Sequence, residues 1–177
     1  MQITFFSNFL NHHQLPFCLE MTKYQENQFT FVETEPIEQE RLDMGYEDMG
    51  EKYPFVLKSY KNDECYGQAL KIGLESDIVI IGSAPEVFIQ ERLQENKVTF
   101  RYTERVLKEG LIRVLDPRVS YGIWSQNTRY KKKNMYLLCA SAYTAYDMQL
   151  FGAYPGKKYK WGYFPEVKEH DIEQLML

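Results

Sequence analysis

One short segment, Asp77-Ile-Val-Ile-Ile-Gly-Ser83, constrains the fold of this chain more than any other. Its four consecutive β-branched apolar residues are typical of a strand that is buried on both faces, as in the middle of a parallel sheet. Gly82 and Ser83 end the strand, and Pro85 stands where proline is favoured at a helix start. The segment therefore predicts a strand, a tight turn and a helix that runs to about Asn96.

The same alternation of strand and helix extends along most of the chain. Apolar and β-forming residues predict further strands over residues 3–6, 29–32, 55–57 and 98–104, and apolar spacing predicts helices over 15–24 and 65–75. Residues 34–54 are acidic and predict a long loop with a short helix near 38–42. This order predicts an α/β fold with a doubly wound, mostly parallel sheet flanked by helices.

Length and composition indicate one globular unit. A chain of 177 residues fits a single domain, and its 44% apolar and 26% charged residues are typical of soluble proteins. Three widely spaced cysteines without a C-x-x-C pair favour reduced thiols in the cytoplasm over disulfides or a metal site. We find no secretory signal and no apolar run near the roughly 20 residues that cross a membrane.

Charge divides the chain into unequal parts. Residues 1–100 carry 8 basic and 17 acidic side chains, whereas residues 101–133 carry 9 basic and 3 acidic ones. In this basic segment the cations alternate with leucine, isoleucine and aromatic residues, which suits peripheral binding to an anionic membrane surface. A solvated helix face packed on the sheet explains the pattern equally well, and nucleic acid does not fit a net acidic chain without RNA-binding motifs. The membrane candidates are Arg113, Trp124, Arg129, Lys131, Lys132 and Lys133.

Ligands of doubly wound sheets bind beyond the carboxyl ends of the strands, which selects the first loop for attention. Asn11, His12 and His13 precede a predicted helix start, where free N–H groups favour an anion. The two histidines could donate to a phosphate or accept a hydroxyl proton, or could be solvated residues at the helix start. The sequence has neither a G-x-G-x-x-G nor a Walker motif, and adjacent histidines do not share a helix face, so we predict no bound metal.

Two later loops offer further candidates. Ser83 could contact a ligand, although capping the following helix is its more common role. Glu104 and Arg105 follow a predicted strand directly, so this pair could orient a hydroxyl and bind a phosphate. The alternative is an ordinary surface ion pair.

The final third carries a recognisable pattern. Residues 137–152 predict a strand and a helix that opens at Ser141 and stops at Gly152, and residues 158–165 predict a last strand before Pro165. This pattern resembles the end of the N-terminal half of GT-B glycosyltransferases of the retaining family-four type. The matching positions are Ser141, Thr144, Asp147, Gly152 and Pro165.

The resemblance implies that residues 1–177 form a single Rossmann-like, acceptor-side domain whose donor-binding partner domain is absent from this chain. The whole enzyme would move a hexose from a nucleoside-diphosphate sugar to a cell-surface glycan or lipid-linked acceptor, such as lipopolysaccharide, without a cofactor. It would act at the inner face of the membrane, and the isolated domain would be inactive. Glu104 and His13 become catalytic candidates, and the substrate-binding candidates are Asn11, His12, Ser83, Arg105 and Ser141.

Two alternatives remain open at this point. A sugar-nucleotide epimerase half would share the fold and would need no membrane. A stand-alone, flavodoxin-like binding module would have the same alternation of strands and helices without catalysis.

Overall fold

A computed structural model describes residues 1–165 of the chain. Seven strands form one sheet in the order β3-β2-β1-β4-β5-β6-β7, and every neighbouring pair is parallel. The strands are β1 (Gln2–Ser7), β2 (Gln28–Glu33), β3 (Val56–Lys58), β4 (Ile78–Ile81), β5 (Thr99–Thr103), β6 (Met135–Cys139) and β7 (Lys158–Lys160). The helices are α1 (Leu15–Lys23), α2 (Gln39–Asp43), α3 (Asp63–Glu75), α4 (Gln90–Gln94), α5 (Pro117–Gln126) and α6 (Thr144–Leu150).

The predicted fold class is confirmed, because the parallel sheet has helices on both faces. The strand order runs outward in opposite directions from β1 and β4, which is the defining reversal of a doubly wound sheet. These two central strands pair Phe5 with Ile80, and the side chains of both are buried. Residues 78–81 therefore lie in the middle of the sheet, as their unbroken apolar run predicts.

Several predicted boundaries differ from the observed ones. The helix predicted over 85–96 begins as a 3₁₀ turn, Glu86–Ile89, and continues as α4 to Gln94. The helix predicted to open at Ser141 begins three residues later, because the Ser141 hydroxyl bonds to the Thr144 hydroxyl and caps no backbone N–H group. Ser83 does not cap its helix either, since the residue before that first turn is Pro85. The last strand extends only over β7.

The two faces of the sheet pack differently. Helices α3, α4, α5 and α6 cover one face through buried residues such as Ala69, Leu93, Ile123 and Met148. On the other face α1 packs against aromatic side chains of the sheet, including Phe5. The three cysteines are free thiols, and burial raises the pKa of Cys18.

Helix α3 approaches the sheet and the 3₁₀ turn unusually closely. Asn62 caps its N-terminus by accepting a hydrogen bond from the Cys65 N–H at 2.7 Å. Near the other end, a β-carbon on Gly73 would overlap the backbone carbonyl oxygen of Phe88 and lie 3.2 Å from the Phe6 ring. A residue without a side chain is therefore required where α3 crosses the turn.

A completely buried arginine closes the C-terminal end of α3. The Arg92 guanidinium donates to the carbonyl oxygens of Asp77 and Val98 at 2.8 and 2.6 Å, and its side chain has no solvent exposure. It also donates to the carbonyl oxygens of Gly73, Leu74 and Ser76 and to the Thr99 hydroxyl. Burial lowers the pKa of Arg92 to about 10. The side chain thus binds carbonyls that the end of a helix leaves unpaired.

Candidate functional site

A cleft of about 720 Å³ opens beyond the carboxyl ends of β1, β4 and β5. Asn8 follows β1, residues 82–86 follow β4, and residues 103–106 follow β5. Ile123, Gln126 and Asn127 close it from the α5 side. The cleft lies where the strand order reverses, which is the position at which doubly wound sheets bind their ligands.

Charged side chains of both signs line the cleft. The basic ones are Arg101, Arg105 and Lys108, and the acidic ones are Glu35, Glu86 and Glu104. Two ion pairs join these groups, Arg101 with Glu86 and Lys108 with Glu104. A polar cleft of this size suits a hydroxylated or charged ligand that forms many hydrogen bonds.

The part-buried Arg101–Glu86 pair forms one wall of the cleft. Among residues 1–165, neither the Nε atom of Arg101 nor the Oε2 atom of Glu86 has a hydrogen-bond partner, although both atoms are buried. Nearby, the Tyr154 hydroxyl donates to the Asn127 amide oxygen at 2.7 Å, and burial raises the pKa of Tyr154. Because buried polar groups are normally paired, these two atoms are exceptions within the wall of the cleft.

Gly82 forms part of the cleft floor at the end of β4. A β-carbon at this position would lie 3.2 Å from the Tyr102 ring and 3.4 Å from the Ser7 hydroxyl oxygen. The backbone of β4 is therefore packed closely against β1 and β5 at the cleft.

The cleft contains three of the residues predicted from the sequence, Ser83, Glu104 and Arg105. Glu104 is half-buried and pairs with Lys108, four residues further on in the same loop. Arg105 donates from Nε to the Asp147 carboxylate at 3.3 Å and lies over the Tyr143 ring. Ser83 is exposed at the cleft mouth.

Asn11, His12 and His13 of the first loop do not line this cleft, although Asn8 of the same loop does. The His12 and His13 rings are in tilted contact with their centroids 3.9 Å apart, and the His13 ring centroid also lies 4.7 Å from that of Tyr163. Desolvation and the neighbouring His12 lower the pKa of His13. The Asn11 side chain accepts a hydrogen bond from the His13 N–H, which orders the turn. The roles assigned to these three residues stay predictions.

Ser141 lies in a different place from the other candidates. It lines a second cavity of about 480 Å³, beyond the ends of β6 and β7, together with Cys139, Lys158 and Trp161. Burial raises the pKa of the Cys139 thiol in this cavity. Ser141 and the Glu104–Arg105 pair therefore do not share one cavity.

Sequence reasoning missed the cleft residues that lie within elements. Arg101 lies in β5, and Glu86 lies in the 3₁₀ turn that precedes α4. The only sequence signal for Arg101 was a charged side chain in the middle of a predicted strand. Asn127 follows α5, in a segment where the sequence pattern predicted no separate helices or strands. The sequence analysis named Asp147 only as a position that matches the glycosyltransferase pattern. In the structure it is fully buried and accepts a hydrogen bond from Arg105.

Glu33 fastens the first loop to the end of β2. Its Oε1 atom accepts a hydrogen bond from the Leu10 N–H at 2.9 Å, and the side chain is almost completely buried. Desolvation raises the pKa of Glu33 above its usual value, although the Leu10 hydrogen bond opposes this effect. The folded protein therefore binds the proton of Glu33 more tightly than the unfolded chain does.

This raised pKa predicts a pH-dependent stability. The contribution of Glu33 is fully present below the pKa that it has in the unfolded chain, and it is lost as the pH rises through the higher pKa of the folded state. We expect Glu33→Gln to keep the Leu10 hydrogen bond and to gain stability relative to the wild type as the pH rises from about 4.5 to 7.5. Urea unfolding of both proteins over this range measures the difference. Glu35→Gln, at an exposed carboxylate, is the control, and a difference that does not change with pH would contradict the account.

Together these features define a Rossmann-like α/β domain with a polar cleft at its switch point. No family model and no curated protein matches the sequence. Among solved structures, UDP-N-acetylglucosamine 2-epimerase from Rickettsia bellii is similar, with a TM-score of 0.50 and 10% sequence identity. The likeness covers 92% of this chain and 45% of that chain, so the present chain spans less than half of the length of the epimerase. At this identity the comparison establishes the shared fold.

Proposed function

We propose that this chain is the acceptor-side half of a two-domain sugar-nucleotide enzyme, and that the enzyme is a glycosyltransferase. The observation that carries the proposal is the polar cleft of about 720 Å³ at the reversal of strand order. Its paired cations and carboxylates offer many hydrogen-bond donors and acceptors for sugar hydroxyls and phosphates. The nucleoside-diphosphate sugar would bind mainly to a second domain, and the glycan or lipid-linked acceptor would occupy this cleft.

Within this proposal the cleft residues have distinct roles. Glu104 would accept a hydrogen bond from an acceptor hydroxyl, and Arg105 would bind an anionic group. Ser83 would contact the substrate at the mouth of the cleft. Asn11, His12 and His13 would act from the first loop, and Ser141 from the second cavity, only when a substrate or a second domain reaches them.

A sugar-nucleotide epimerase is the second candidate function. The similar solved structure is a sugar-nucleotide epimerase, which favours this candidate, although a glycosyltransferase would use the same α/β framework. The two reactions differ in what they require and release. An epimerase converts a sugar nucleotide into an isomer without an acceptor, whereas a transferase releases the nucleoside diphosphate when an acceptor is present.

One experiment separates these candidate functions. The full gene product that carries this sequence is incubated with UDP-, GDP- and ADP-sugars, with and without glycan acceptors, beside the 177-residue chain alone. We expect acceptor-dependent release of one nucleoside diphosphate by the gene product and none by the isolated chain. Isomerisation without acceptor would assign an epimerase, and inactivity towards every donor would favour the binding module.

We also propose that the enzyme binds an anionic membrane surface peripherally. Leu111, Ile112, Leu115, Tyr121 and Trp124 are at least half exposed around the 3₁₀ helix Leu111–Leu115 and α5. Arg113 lies within this patch and pairs with Glu109 and Asp116. Within residues 1–165 no helix is long and apolar enough to cross a bilayer. Insertion of the exposed apolar side chains of this patch would supply the binding energy.

The remaining basic candidates lie elsewhere on the molecule. Lys131, Lys132 and Lys133 precede β6, and the Lys133 ammonium donates to the Gln94 carbonyl at the end of α4. This position is the edge of the sheet where strands begin, opposite the cleft. Arg129 stacks on Tyr130 in the same region.

Vesicle sedimentation tests whether the apolar patch or the lysines at the opposite edge of the sheet bind the membrane. We expect the double change Ile112→Ser and Leu115→Ser to weaken binding to phosphatidylserine vesicles about tenfold or more, since these are the two most exposed side chains of the patch. Met44→Ser, at an exposed apolar residue outside the patch, should leave binding unchanged. Unchanged binding of the double variant would contradict the patch proposal, and loss only in a Lys131→Gln, Lys132→Gln, Lys133→Gln variant would assign binding to the opposite edge.

A further inference from the structure

Arg105 forms an ion pair with a buried carboxylate that does not line the cleft. Asp147 on α6 has no solvent exposure, and its Oδ2 atom accepts hydrogen bonds from Arg105 Nε at 3.3 Å and from the Leu107 N–H at 3.0 Å. The Tyr143 ring supports the guanidinium face at 4.8 Å from its centroid. These contacts fix the orientation of a side chain that lines the cleft and is 31% exposed.

The contacts with Asp147 and Tyr143 leave the other edge of the Arg105 guanidinium free. The one hydrogen bond that this group makes within residues 1–165 comes from Nε, so the two terminal nitrogens remain available. A guanidinium edge of two parallel N–H donors matches the two oxygens of a phosphate or carboxylate. Preorganisation by Asp147 and Tyr143 lowers the entropy cost of binding such a group.

The other cations of the cleft are differently placed. Arg101 and Lys108 pair with Glu86 and Glu104, and both of these carboxylates also line the cleft. Arg105 instead pairs with Asp147, which is buried outside the lining. A ligand in the cleft therefore meets the positive edge of Arg105 without a competing carboxylate on that edge.

We propose that Arg105 is the anchor for an oxyanion carried by the cleft ligand, and that Asp147 is its positioning residue. The inference rests on the proposed function and narrows it, because the acceptor would then bear a phosphate ester or a carboxylate near the sugar. Arg101, in the wall of the same cleft, is a second cation near that ligand. Binding is the whole of this role, and no covalent step is involved.

Three sugar probes test the inference by NMR titration of the 177-residue chain. Glucose 1-phosphate and glucuronate carry the two possible oxyanions, and methyl glucoside is their neutral counterpart. We expect one oxyanion probe to bind about tenfold or more tightly than methyl glucoside, with shifts centred on residues 103–106. The tighter of the two identifies phosphate or carboxylate as the preferred group.

The variants separate a specific contact with Arg105 from the electrostatic effect of the net charge in the cleft. Arg105→Gln should abolish the preference for the oxyanion, whereas Lys108→Gln removes the same charge from the same cleft and should change affinity less than about threefold. Arg105→Lys keeps the charge but not the two-pronged edge, so an intermediate affinity is expected. Asp147→Asn should weaken oxyanion binding while leaving methyl glucoside binding unchanged, a pattern that simple loss of folding does not produce.

The outcomes distinguish failure of the Arg105 anchor from failure of the proposed function. Equal binding of all three sugars in the cleft would overturn the anchor and leave the proposed function standing. Binding of inorganic pyrophosphate, titrated as a fourth probe, that depends on Arg105 and occurs without binding of any sugar probe would support the anchor and contradict the proposed function. Equal losses in Arg105→Gln and Lys108→Gln would overturn the anchor, because the effect would then be one of net charge.

Discussion

Arg92→Met is expected to lower the free energy of unfolding by about 4 kcal/mol or more, which is exceptional for a single substitution. The methionine fills a similar volume but removes the guanidinium donor from the buried carbonyl oxygens of Gly73 and Ser76. It also removes the donor from the part-buried carbonyl oxygens of Asp77, Val98 and Leu74, the last of which also accepts from the Lys97 ammonium. Each unpaired buried acceptor costs about 1–3 kcal/mol, and those acceptors belong to the backbone and cannot be removed together with the arginine.

Urea unfolding at constant pH measures this effect. Arg92→Lys keeps the charge but has fewer donors and no planar fork, so it should recover only part of the loss. Arg118→Met, at an exposed arginine on α5, is the matched control and should change stability by less than about 0.5 kcal/mol. A wild-type stability for Arg92→Met would show that the guanidinium does not hold the end of α3.

Gly73→Ala is expected to destabilise the protein by about 1–3 kcal/mol, the range for overpacking a filled core. The added methyl group would overlap the Phe88 carbonyl oxygen, so α3 and the turn Glu86–Ile89 would have to separate. That turn carries Glu86 to the cleft wall, and its displacement would disturb the pair with Arg101.

Gly67 on the same helix provides an internal control. Nothing lies within 4 Å of a β-carbon at Gly67, so alanine there should stabilise α3 by about 0.5–1 kcal/mol through its higher helix propensity. Thermal unfolding of the two variants should therefore give shifts of opposite sign. Shifts of the same sign would contradict the close approach of α3 to the turn.

The sequence was sufficient for the sheet because the strands carry strong local signals. The apolar run at 78–81 lies at the centre of the sheet, and the first and last helices of the alternation lie within a few residues of their predicted positions. Helix starts were less predictable where a serine has a partner other than a backbone N–H group. Ser141, which bonds to Thr144, is the clear example.

The site was predictable only in part, since its residues meet through tertiary contacts. Glu104 and Arg105 directly follow a strand, and the rule that ligands bind beyond carboxyl ends of strands selected them correctly as cleft residues. Asp147 and Arg105 are 42 residues apart in the sequence, so their pairing required the three-dimensional structure. The two histidines of the first loop follow β1, but their rings turn towards each other and Tyr163.

The central claim is that the cleft beyond β4 and β5 holds the substrate, and a bulky side chain at its mouth tests this most directly. Ser83 is exposed there, so Ser83→Trp should fold normally and place an indole in the path of the ligand. For the acceptor on which the gene product acts, at a saturating concentration of its sugar nucleotide, we expect kcat/KM to fall on the order of 100-fold. Thr22→Trp, on the exposed side of α1, should leave it unchanged. Full activity of Ser83→Trp, with an unchanged melting temperature, would contradict the account.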